Sequence, residues 1–138
     1  MTQQKFHLSL FVSDTKKTVN FYTKLFGIEP GKVKADYAKF ELTDPALVIS
    51  FIQAPEKVQS NFGHLGFKVH STQEVEERKA ALRSSDIEIG LEEQEVACCY
   101  AKQDKFWVND PDGYEWEVYH FIEDVNRNEE KYTAAPCC

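Results

Sequence analysis

The sequence lacks any apolar run approaching the roughly 20 residues a transmembrane helix needs, so no membrane association is expected. It also lacks a basic stripe. Sixteen Lys and Arg stand against 23 Asp and Glu, a formal net charge of −7. Phosphate-backbone binding draws on clustered cations, so nucleic acid is not an expected partner. The start, MTQQKFHLSL, has no long apolar h-region. No signal peptide is therefore expected, and the expected compartment is the cytoplasm. Cysteine is scarce: four in 138 residues, without zinc-finger spacing and without the spread of a disulfide framework. Large side chains are not scarce. Ten Phe, six Tyr and two Trp, within 42% hydrophobic residues, exclude a disordered polypeptide. The length suits one domain able to bury its own core.

The cysteines form two adjacent pairs, Cys98-Cys99 and Cys137-Cys138. Neighbouring cysteines staple distant segments badly, because a bond between them closes a small, strained ring. Two thiols side by side in a reducing compartment suit a soft ion that takes two sulfurs at once. Chance adjacency is the competing reading, and it weighs more on Cys137-Cys138, at the chain end.

The chain reads as a duplicated module. His7-Leu8-Ser9-Leu10-Phe11-Val12 is echoed 57 positions later by His64-Leu65-Gly66-Phe67-Lys68-Val69. Both alternate as strands do, with Phe6, Leu8, Leu10 and Val12 forming the apolar face of the first and His7 and Ser9 facing the other way. A helical pattern follows each. The first covers Asp14 to Phe26, with Val19, Tyr22 and Phe26 at helical spacing; Ser13 or Asp14 caps it and Gly27 ends it. The second starts at Ser71 with a capping box to Glu74 and places Val75 and Leu82 on one face. Phe40-Glu41-Leu42-Thr43-Asp44-Pro45 is then matched 66 positions on by Phe106-Trp107-Val108-Asn109-Asp110-Pro111. A strand follows each, Ala46 to Gln53 and Tyr114 to Phe121. The expectation is an α+β fold of two βαβββ modules, about 5–55 and 62–121, in one domain spanning 1–138 with a polar Cys-ended tail at 122–138. The modules are expected to form one curved mixed sheet around a cavity. The second module carries nine extra residues before its final hairpin, and Cys98-Cys99 falls among them.

Strand periodicity puts metal-type ligands on one surface. His7 and His64 are repeat partners on the non-apolar face. In Tyr114-Glu115-Trp116-Glu117-Val118-Tyr119, Trp116 and Val118 share one face, and Glu115, Glu117 and Tyr119 the other. A carboxylate on an inward face is costly unless paired or bound to a cation. Two histidines and a carboxylate can hold one face of an octahedral ion and leave positions open. The 66-residue offset aligns Glu117 with Phe51, which supplies no fourth ligand. Glu115 is read as solvated or supporting, His70 and His120 as structural, and Lys102 and Lys105 as solvated loop charges that could favour thiolate formation. No general base is identified.

The paired His-Leu-x-x-x-Val strands, the helix ending Phe21-Tyr22-x-x-Leu25-Phe26-Gly27 and Asp110-Pro111-Asp112-Gly113-x-x-x-Glu117 together resemble the vicinal oxygen chelate superfamily. That superfamily includes glyoxalase I, extradiol dioxygenases, fosfomycin-resistance transferases and bleomycin-binding proteins. The resemblance covers residues 5–121 and implies a divalent metal at His7, His64 and Glu117. Within the superfamily, Cys98-Cys99 ahead of the final hairpin looks like the vicinal cysteines of carbon–arsenic lyases and related cadmium-induced proteins. This implies an Fe(II)- and dioxygen-dependent enzyme cleaving trivalent organoarsenicals, such as methylarsenite or aromatic arsenicals, to inorganic arsenite.

The residues agree with that implication on chemical grounds. A monosubstituted trivalent arsenical has two exchangeable sites, and adjacent thiolates at Cys98 and Cys99 can fill both while the carbon stays attached. Cys137 and Cys138 are candidates for accessory arsenic capture. The expected partner is the small-molecule arsenical, and the expected assembly a monomer or homodimer. Two other classes stay open: a cadmium or soft-metal binder using the thiols alone, and another metalloenzyme of the superfamily, a thiol transferase or isomerase.

Overall fold

The computed structural model describes residues 3–98 and 100–126, apart from the side chain of Cys98. The strand β1 (Phe6–Val12) leads into helix α1 (Thr15–Phe26), followed by β2 (Lys32–Lys34), β3 (Tyr37–Leu42) and β4 (Leu47–Gln53). After a 3-10 turn at Pro55–Lys57, the order recurs as β5 (Leu65–Lys68), α2 (Thr72–Ser84), β6 (Leu91–Cys98), β7 (Ala101–Asn109) and β8 (Glu115–Asp124). This is the βαβββ repeat read from the sequence, in an α+β fold. The strands hydrogen-bond as two four-stranded mixed sheets, β1-β4-β3-β2 and β5-β8-β7-β6, rather than as one continuous ladder. In each, the first and last strands of the module pair in parallel and the others antiparallel. No described helix is long and apolar enough to cross a membrane.

Contacts divide the chain into two compact units. The first takes the residues up to Phe62 together with Asp110–Tyr114; the second begins at Gly63 and holds the remainder. In the first unit, Asp14 caps α1 by accepting from the Lys17 N–H at 3.0 Å. Gly27 ends it in the left-handed conformation (φ 70°), where only a residue without Cβ sits at little cost, and its N–H donates to the Thr23 carbonyl. The face that α1 buries is Thr15, Thr18, Phe21, Tyr22 and Leu25; Val19 and Phe26 lie at its half-buried margin. Tyr22 stacks on Phe51 (ring centroids 4.3 Å apart) and Phe26 meets Phe40 edge-on. These contacts put Phe40, Phe51 and, through its pairing with Phe51, Leu10 on the sheet face covered by α1. Leu8 and Val12 share that face by alternation, whereas Phe6, at the start of the strand, is exposed.

The Asp110–Tyr114 turn is built into this same unit. Asp110 Oδ1 accepts from the Asp112 and Tyr114 N–H groups at 2.8 and 2.9 Å, and Oδ2 accepts from the Tyr22 hydroxyl at 2.6 Å. Asp112 Oδ2 accepts from the Ser13 N–H, and the Tyr114 hydroxyl donates to the Phe11 carbonyl. Burial pushes the Asp110 carboxyl above its ordinary range, against the opposing pull of the Tyr22 hydroxyl and the two backbone donors. The Asp-Pro-Asp-Gly motif is thus a structural clasp.

In the second unit, Ser71 Oγ accepts from the Glu74 N–H at 3.1 Å, and the Glu74 carboxylate accepts from the His70 N–H, one residue earlier than the usual capping box. Helix α2 buries Val75, Lys79 and Leu82 and packs on β7 and β8. Arg78 lies over the Phe67 ring, and Phe67 meets Trp116 at 5.3 Å, so Phe67, Trp116 and Val118 face α2. The nine extra residues of this module lengthen the hairpin of β6 and β7. Strand β8 continues past the expected Phe121 to Asp124, pairing with the start of β7.

Candidate functional site

The face of the second sheet turned away from α2 carries the chemistry. Glu117 alternates with Trp116 and Val118, so its carboxylate emerges on that face. Its neighbour on β5 is Gly66. A Cβ at Gly66 would lie 2.6 Å from the Glu117 carbonyl oxygen and 2.7 Å from Glu117 Cγ, so glycine is what leaves room for this side chain. His64, just before β5, brings Nε2 to 3.3 Å from Glu117 Oε1. The imidazole is set by an edge-on contact with Trp107 at 4.8 Å, and Trp107 pairs with Glu117 across β7 and β8.

Glu117 is buried. A carboxylate in that position needs charge compensation. Lys105 supplies some: its Nζ lies 3.2 Å from Glu117 Oε2 with the side chain fully buried. The sequence reading of Lys105 as a solvated loop charge is therefore corrected. Residues 101–109 form a strand, and Lys105 falls on the same face as Trp107, two positions on. Its signal was present in the hairpin alternation, but Lys in isolation defaults to solvent. Lys102 fits the solvated reading: half exposed, it pairs with Glu95 at 3.0 Å, and that hydrogen bond raises its ammonium above the ordinary range. Tyr119, opposite Lys105, has its phenol pushed upward by burial and then by the Glu117 carboxylate.

The expected counterpart of Glu117 in the first module is also corrected. Phe51 lies under α1, on the other face of its sheet. The residue opposite Ser9, as Glu117 is opposite Gly66, is Ser50, which is buried and within 3.0 Å of the Tyr37 hydroxyl. The cause is loop length. Residues 43–46 separate the paired Leu42 and Leu47, whereas 110–114 separate the paired Asn109 and Glu115. One extra residue shifts the strand by an odd number and reverses its faces.

His7 lies in the first unit on β1, exposed, on the face away from α1. His64 and Glu117 are the expected ligands that the second unit brings together. Among the described residues, no three His, Cys, Asp or Glu side chains gather into a complete metal site. The pair nonetheless offers one imidazole nitrogen and one carboxylate oxygen, a donor set suited to Fe(II) and its divalent neighbours. Glu115 is exposed; His120 is half-buried on β8; His70 serves the α2 cap through its backbone. The Cys98 backbone ends β6 opposite Ala101, so the first thiol-bearing residue stands near the tip of the β6–β7 hairpin, ahead of the final β7–β8 hairpin as the sequence placed it. Two left-handed residues, Glu95 (φ 47°) and Tyr100 (φ 58°), bracket it. The Cys98 side chain, Cys99, Cys137 and Cys138 lie outside the described residues.

The family model described as Glyoxalase/Bleomycin resistance protein/Dioxygenase superfamily matches residues 6–118. A trivalent organoarsenical cleaving enzyme of Bacillus sp. (strain MD1) is 44% identical over 132 residues, covering 96% of this chain and 80% of that protein. The cadmium-induced protein CadI of Mycobacterium tuberculosis (strain ATCC 25618 / H37Rv) is 37% identical over 119 residues, covering 85% and 76%. Among solved structures, a glyoxalase/bleomycin resistance protein/dioxygenase from Alicyclobacillus acidocaldarius superposes with a TM-score of 0.70 at 13% identity, covering 87% of this chain and 92% of that one. At that identity the likeness speaks for the fold alone.

Proposed function

Because the chain belongs to the glyoxalase/bleomycin resistance protein/dioxygenase superfamily, we propose that it cleaves the carbon–arsenic bond of trivalent organoarsenicals in an Fe(II)- and dioxygen-dependent reaction. The observation that carries this reading is the convergence of His64 Nε2 and Glu117 Oε1, 3.3 Å apart on the sheet face turned away from α2. Identity of 44% to a protein named for this activity supplies the substrate class. His7, His64 and Glu117 would hold the ion, and Fe(II) bound there would supply the activation of dioxygen that redox-silent Zn²⁺ cannot.

The protein's own residues bind and orient the substrate. Cys98 and Cys99 take both exchangeable positions of the arsenical as thiolates and leave its As–C bond intact for attack. Holding that bond in place replaces an encounter by proximity, worth several kcal/mol in well-oriented systems. Trp107 and Tyr119, both half-buried, flank the Lys105 ammonium that meets Glu117. For methylarsenite the balance is one dioxygen consumed, with inorganic arsenite and formaldehyde formed. Cys137 and Cys138 are accessory arsenic ligands in this reading.

The test is turnover of methylarsenite with Fe(II), in air and without it, followed by measurement of inorganic arsenite. Arsenite formed only in air is expected. Oxygen-independent turnover would favour a transferase or isomerase of the same superfamily. Stoichiometric capture without arsenite would favour a second reading, soft-cation sequestration, which rests on the adjacent thiols and the likeness to a cadmium-induced protein.

A further inference from the structure

Lys105 stands mid-strand in β7 with no exposed side-chain surface. Burying an ammonium is costly unless counter-charge and hydrogen bonds meet it, so its place invites a reason. The two oxygens of Glu117 have different neighbours: Oε2 is 3.2 Å from Lys105 Nζ, and Oε1 is 3.3 Å from His64 Nε2. The register makes the Lys105 contact a diagonal one, since Trp107 is opposite Glu117 and Lys105 is opposite Tyr119. The Trp107 and Tyr119 rings flank Nζ at 5.9 and 5.8 Å to their centroids, which fixes the ammonium laterally. Glu93, opposite Lys105 on β6, is buried as well.

We infer that Lys105 is a positioning residue: by holding Glu117 Oε2 it presents the carboxylate to a divalent cation through Oε1 alone, beside His64. This rests on the metal reading proposed above and deepens it by assigning how Glu117 binds. A carboxylate that ligates through both oxygens fills two coordination positions. One that ligates through a single oxygen leaves the second position open, which a reaction with two partners at one ion requires. Loss of a hydrogen-bonded outer partner of a metal ligand ordinarily weakens metal binding. Lys105 is cationic, so its loss removes a repulsion and frees Oε2. The sign of the effect is therefore reversed.

Co(II) is the probe, because its visible spectrum reports coordination number without turnover. The full chain, Lys105→Met and Lys105→Arg are compared by thermal melting and by Co(II) titration against a chelator. Lys105→Met, folded, is expected to bind Co(II) about tenfold more tightly or better, the order of effect for one charge a few ångströms away. Its absorption should fall in intensity as the coordination number rises, and Lys105→Arg should keep the wild-type spectrum. Affinity equal to or weaker than wild type with an unchanged spectrum overturns the inference and leaves Lys105 as packing. Should Lys105→Met fail to fold, a crystal structure of the wild-type chain with Co(II) decides. Oε1 on the metal and Oε2 on Lys105 upholds the inference; both oxygens on the metal overturns it. A wild-type chain that binds no Co(II) sinks the metal reading and the inference with it, whereas bidentate Glu117 sinks the positioning role alone.

Discussion

Replacing Gly66 by Ala adds a single methyl group, and the structure fixes where it goes. The new Cβ would sit 2.6 Å from the Glu117 carbonyl oxygen and 2.7 Å from Glu117 Cγ. The first neighbour is strand backbone and cannot step aside; the second is the side chain of the candidate ligand. Gly66 lies outside the left-handed region, so alanine carries no dihedral strain and the effect is steric. Overpacking of this kind costs about 1–3 kcal/mol, offset by about 0.4–1 kcal/mol from the stiffer unfolded chain. At the middle of these ranges the net loss is roughly 1.3 kcal/mol, and each kcal/mol lowers Tm by about 2–8 °C in domains of this order. Gly90→Ala is the matched control, because its Cβ would meet the Trp107 carbonyl at an ordinary 3.5 Å. Thermal melts of both variants, with Co(II) titrations alongside, should show Gly66→Ala less stable and weaker in metal binding and Gly90→Ala close to wild type. Equal melts for wild type and Gly66→Ala would refute the close-approach argument, and with it the claim that β5 is shaped around Glu117.

Tyr22→Phe removes the hydroxyl donor to the buried Asp110 and should cost about 1–3 kcal/mol in chemical denaturation. The Asp110 carboxyl is raised by burial in the folded state, so the folded protein binds the extra proton, and stability should fall as pH climbs from the ordinary 3.8 through the raised value, then level off. Losing the Tyr22 donor should raise that value further, and stability measured across the acid range would show the fall extending to higher pH. Ser71→Ala deletes the α2 cap and should cost about 1 kcal/mol without touching metal binding. Glu117→Ala should lose metal while still capturing trivalent arsenical, and Cys98→Ser the reverse, as read by metal analysis and arsenic retention on the purified chain. Equal metal loss in both would refute the separation into two sites.

The sequence by itself determined the repeat, both helices with their N-caps and, for β1 and β8, the side of the strand that turns to its helix. These features are local, set by a period of two or 3.6 and by cap chemistry at named positions such as Asp14, Gly27 and Ser71. It also marked Glu117 and His64, because alternation and repeat offset need no knowledge of contacts. Tertiary structure alone decided what pairing across strands controls. A hairpin loop longer by one residue moved the counterpart of Glu117 from Phe51 to Ser50, and a mid-strand position sealed Lys105 between two aromatic rings against that carboxylate. Alignment of repeats counts residues along the chain, but a side chain's face and its partner are fixed by register across the sheet, which changes with every odd insertion.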